Sequence, residues 1–64
     1  MAKYNLKALK VMAEIVLRAR ELSGYGNVNA GFQYIQFMDK MTYQTGLSES
    51  AVLAKLRVYA GANI

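Results

Sequence analysis

Residues 34–57, YIQFMDKMTYQTGLSESAVLAKLR, read as helix, tight turn, helix, with Thr45-Gly46-Leu47-Ser48 as the turn. Gly46 has no Cβ to clash, so it can take the left-handed backbone conformation that ends a helix. Ser48 then serves as N-cap, its hydroxyl accepting from a free N–H in the first turn of the next helix. Leu47 before the cap and Val52 after it form a hydrophobic staple that sets the angle between the two helices. Upstream of the turn, Tyr34, Ile35, Phe37, Met38, Met41 and Thr45 share one helical face. Gln33, Gln36, Lys40 and Gln44 take the other, joined by Phe32 and Tyr43. Downstream, Val52, Leu56 and Tyr59 make a buried seam flanked by Leu53 and Ala60, and Gly61 stops the helix. Ala51, Ala54 and Val58 form a second face, small enough for close approach of another helix. Helices are therefore expected over about 31–45 and 48–60.

Working outward, residues 5–23, NLKALKVMAEIVLRARELS, make the longest helical candidate. Asn5 caps it, Ser23 and Gly24 end it, and Lys10–Glu14 and Glu14–Arg18 have the spacing of helical ion pairs. Lys3, Lys7, Lys10, Glu14, Arg18 and Glu21 fall on one narrow polar strip. The apolar remainder spans roughly 220–240° of the circumference, against little more than 100° for an ordinary surface helix. Such a helix needs cover on two sides. A second subunit packed on Leu9, Met12, Ile15, Val16 and Ala19 is one solution, and a central helix wrapped within a monomer is the other. Arg20 falls inside the apolar arc, where it must reach out to water or pair with a carboxylate.

Between these units, residues 24–30 read as a loop by their Gly and Asn content. Val28, Ala30, Phe32 and Tyr34 alternate with Asn29, Gly31 and Gln33, so a short strand over 25–32 stays open as an alternative. The glycine spacing does not match G-x-G-x-x-G and no Gly-Lys-Ser/Thr follows, which argues against a nucleotide loop.

A chain of 64 residues forms one domain, 1–64, and a domain of this size is marginally stable without help. Cysteine and histidine are both absent, which removes disulfides and the common zinc ligand sets, so no metal is expected. No proline occurs, and the glycines cluster at 24–31, 46 and 61, which favours an all-α three-helix bundle. An apolar content of 55% is high for so short a chain and favours self-association. The net charge of +4 permits contact with nucleic acid without demanding it. Charged residues interrupt every apolar run well short of the ~18 residues a membrane span needs, and MAKYNLKALK lacks a signal peptide's apolar core. A cytoplasmic setting is the expectation. The four carboxylates are dispersed, and Ser48 and Ser50 have no candidate base beside them. No catalytic constellation results, so neither enzyme activity nor a cofactor is expected.

Thr45-Gly-Leu-Ser-Glu-Ser-Ala-Val52 is similar to the T-G-L-S-x-S-x-V segment of many helix-turn-helix DNA-binding domains. Apolar Met41 and small Thr42 also stand where that motif has them, and Val52 and Leu56 stand where its recognition helix turns inward. The likeness covers residues 38–57. A weaker resemblance links the G-L-S-x-S run to ribbon-helix-helix repressors, whose dimerising strand could come only from residues 25–32. The helix-turn-helix resemblance implies that Ser48, Glu49, Ser50, Leu53 and Ala54 face the major groove. It also implies that Lys40, Lys55 and Arg57 lie near phosphates, with Lys3, Lys7 and Lys10 reaching flanking backbone. Leu53 and Ala54 offer only methyl contacts, whereas base readout favours forked donors. Three functions follow as expectations. The first is a DNA-binding regulator of transcription or replication that acts as an oligomer. The second is a self-assembling module that binds another protein, for example a small viral or plasmid protein acting on a host factor. The third is a nonspecific nucleic-acid-coating protein.

Overall fold

The computed structural model describes residues 5–63, which form α1 (Leu6–Gly24), α2 (Val28–Thr45) and α3 (Glu49–Ala60) packed as an all-α three-helix bundle. α1 is the central helix: α2 and α3 each pack on it more extensively than on each other. Its N-terminus is closed by Asn5, whose side chain accepts from the Ala8 N–H at 2.7 Å. No helix is long and apolar enough among these residues to cross a membrane.

The connector is shorter than its composition implied. Asn27 caps α2 by accepting from the Ala30 N–H at 3.0 Å, so the helix begins at Val28 rather than near Gly31. Residues 25–32 contain no strand; those from Val28 on are helical, and the period-two alternation there is coincidental. Gly31 sits inside α2, where an added Cβ would come within 2.9 Å of Ser23 Oγ, so glycine here permits close approach of the end of α1.

The core contains Ala13, Val16, Met38, Val52, Leu53 and Leu56, with Leu17, Phe37, Met41, Leu47 and Tyr59 packed around it. No large side chain is fully buried among the described residues, so the core is thin even for this length. Val16 and Ala19, placed by sequence at a subunit interface, are 7% and 8% exposed. They are taken up by the chain's own helices, because α2 and α3 together cover much of the apolar arc. Leu9 and Met12 are half-buried, while Ile15 stays 62% exposed. α2 and α3 thus wrap much of α1 within the chain, and Ile15 is the expected interface residue that they leave most open.

Candidate nucleic-acid interface

The turn is built as its residues suggest. Gly46 adopts φ 72°, ψ 8°, the left-handed region, and its N–H donates to Thr42 O at 2.9 Å. Ser48 Oγ accepts from the Ala51 N–H at 3.2 Å. Leu47 is half-buried against the core and Val52 is buried, as a staple requires. Thr45 adds a lock that the sequence did not announce. Its hydroxyl donates to Met41 O at 2.6 Å and accepts from the Leu47 N–H at 3.2 Å, tying the last turn of α2 to the loop.

This geometry fixes which side of α3 is free. Ser50, Ala54, Lys55, Arg57 and Val58 are exposed, and Val58 is 70% so. Leu53, implied by the resemblance to face a groove, is instead buried at 7% among the residues packed on α1 and α2. It lies one residue from Val52 and three from Leu56, within the apolar side of the helix, where burial outweighs any methyl contact it could offer outside.

Glu49 is exposed but engaged. The Tyr34 hydroxyl donates to Glu49 Oε2 at 2.9 Å, joining α2 to the first turn of α3. Burial, and then this hydrogen bond to a carboxylate, raise the Tyr34 phenol above its ordinary pKa, while nearby Arg20 pulls the other way. Arg20, Tyr34 and Glu49 thus form a polar junction of all three helices. At the first turn of α3 the Glu49 carboxylate also opposes the helix dipole favourably.

The cations of α3 lie on its two edges. Arg57 shares an open cleft of about 570 Å³ with Arg18 and Arg20 of α1, bordered by Glu14 and Glu21. Arg18 pairs with Glu21 at 2.6 Å. Lys55 lies on the opposite edge of α3, beside an apolar cavity of about 220 Å³ whose lining includes Leu9, Met12, Met41 and Leu47. Lys40 and Lys7 are exposed. Lys10 is committed internally: its Nζ donates to Ala60 O at 2.8 Å at the end of α3 and lies 3.4 Å from Glu14. Lys3 lies outside the described residues.

Sequence reasoning missed Arg18 and Arg20 as neighbours of α3. Arg18 was read as part of a solvated strip and Arg20 as an intruder in an apolar arc. The signal that could have found them is their common approach to the α3 flank carrying Arg57 and Ala60, which needs the packing of α1 on α3 to be known. The chain matches no protein-family model, no curated protein and no solved structure.

Proposed function

We propose that this chain is a small helix-turn-helix DNA-binding protein, a regulator of transcription or replication that acts as an oligomer in the cytoplasm and presents α3 to the major groove. The observation that carries this reading is the outer face of α3: small residues along its middle, cations on both edges. Ser50, Ala54 and Val58 leave little bulk between the helix backbone and whatever it meets. The major groove is about 12 Å wide and an α-helix with its side chains is about 10–12 Å across, so a helix with a trimmed outer face enters deeply. Arg57, with Arg18 and Arg20 behind it, then stands on one side and Lys55 on the other, suited to the phosphates of the two strands.

Base readout on this reading is modest. Ser50 offers one hydroxyl, and Ala54 and Val58 offer methyl contacts of the kind that thymine accepts. Glu49 is drawn towards Tyr34 and is a secondary reader. Affinity therefore comes chiefly from phosphates and should depend steeply on salt. Retention of duplex DNA measured by fluorescence anisotropy across a salt series tests this directly. Binding that weakens as salt rises, and weakens further in Arg57→Gln, supports the proposal. No retention at low salt by the folded chain overturns it and leaves the protein-interaction module as the better reading.

A further inference from the structure

The outer face of α2 carries an apolar stripe that the bundle does not use. Val28, Phe32 and Ile35 are 66%, 60% and 54% exposed. They follow one another at intervals of four and three residues, the spacing of a coiled-coil seam, and the next position of that seam is Asp39. The core side of the same helix, with Ala30 and Met38, points the other way. Two further exposed aromatics stand near the ends of the helix, Tyr25 at 80% and Tyr43 at 90%.

We propose that this stripe is the self-association surface of the protein, and that the α2 helices of two copies pair antiparallel across a two-fold axis between Gln33 and Tyr34. Such an axis sets Phe32 of each copy against Ile35 of the other, and Val28 against Asp39. Each Asp39 carboxylate then stands beside the first turn of the opposing α2. That turn contains no acidic residue of its own, and its positive dipole end favours a carboxylate. A parallel pairing would instead bring Asp39 against Asp39, two like charges in one seam. The antiparallel arrangement also carries the end of α2 that holds Tyr43 towards the partner's α1–α2 connector, where Tyr25 lies.

All five apolar and aromatic residues are more than half exposed, so the apolar surface a second copy would cover is gathered along this one helix and at its ends. The thin core supplies the need, since a small domain without a large buried side chain gains stability by burying surface between copies. This pairing deepens the oligomer in the proposed function by naming its surface, and it does not depend on DNA.

The test is solution mass by sedimentation equilibrium, together with cysteine pairing in a chain that has no cysteine of its own. The unmutated protein should sediment at twice its 7.1 kDa chain mass at ~500 μM, a concentration that populates even weak dimers. Ile35→Asp should return it to 7.1 kDa with the helical circular-dichroism signal intact, because the residue is exposed within the chain. Ile15→Asp should leave the doubled mass unchanged. On oxidation, Val28→Cys mixed with Asp39→Cys should give a disulfide-linked pair, whereas each variant alone should not. A monomer mass for the unmutated chain overturns the proposal and assigns the stripe to a different partner. A doubled mass that survives Ile35→Asp, or self-linking by either cysteine variant alone, overturns it as well. Loss of DNA retention with the doubled mass preserved would count against the proposed function and not against this surface.

Discussion

Gly46 and Ser48 set the direction in which α3 leaves α2, and their substitutions separate two kinds of cost. Nothing lies within 4 Å of where a Gly46 Cβ would sit, so a side chain there meets open space, and the penalty is purely one of positive φ. Gly46→Val should therefore cost more than Gly46→Asn, since asparagine tolerates the left-handed region and a β-branched residue resists it. Ser48→Ala should cost ~1 kcal/mol by removing the acceptor of the Ala51 N–H. Denaturant midpoints of the three variants check both statements, and a milder effect for Gly46→Val than for Gly46→Asn would contradict the backbone account. Tyr34 gives a pH signature. Its phenol is held neutral in the folded chain above its ordinary 10.0, chiefly by burial and then by the bond to Glu49. At high pH the unfolded chain releases this proton first, so the contribution is complete below the unfolded value and falls as pH rises through the folded one. Alkaline titration of stability should accordingly be shallower in Tyr34→Phe than in the unmutated protein.

At the scale of elements, α3 is held on α1 through its core face and at its C-terminal end, and the two attachments differ in kind. Leu56, 3% exposed, fills the core, and Leu56→Ala should cost about 2–5 kcal/mol by denaturant unfolding, as buried leucine truncations do. Lys10 closes the C-terminal end by donating to Ala60 O, a charge-assisted bond at the negative pole of the helix. Lys10→Met should speed amide hydrogen exchange in the last turn of α3 while sparing its first turn. These attachments show what the sequence could and could not convey. The turn was legible because Gly46, Leu47, Ser48 and Val52 act on neighbours within a few residues. The three helices were legible from periodicity, and the width of the apolar arc on α1 correctly demanded cover on two sides. What covered it was not legible, because Val16 and Ala19 look the same in sequence whether another helix of the chain or a second subunit buries them. The start of α2 was displaced because Asn27, the capping residue, sits among other loop-forming residues that hid it. The Lys10–Glu14 pair and the outward reach of Arg20 were legible; their further neighbours Ala60 and Tyr34 were not, because these are distant in sequence and only packing brings them near.

For the whole molecule, the decisive question is whether the cations on the two edges of α3 act together on one duplex. Each phosphate contact releases condensed counterions, so the logarithm of affinity falls linearly with the logarithm of salt concentration, by about 0.9 per contact. If Arg57 and Lys55 each touch a phosphate, Arg57→Gln and Lys55→Gln should each flatten that slope by about one unit. Because they stand on opposite edges, their effects should add in the double variant. Lys10→Met should leave the slope unchanged, since that charge already serves Ala60 and Glu14. Leu53 is not a useful probe of the surface, because a polar residue there would damage the core and lower binding through unfolding. Ala54→Asp is the informative change: it sits on the exposed face, should leave the fold intact, and brings a negative charge towards the groove floor. Duplex retention should fall at every salt concentration in this variant, with little change in slope, because bulk and charge at the face obstruct docking without removing a phosphate contact. The α2 pairing adds a further expectation, that a two-fold protein favours inverted-repeat sites over single half-sites. If instead both glutamine variants keep the full slope while Ala54→Asp abolishes capture of a protein partner, α3 is a protein-binding helix and its flanking cations are solvated charges.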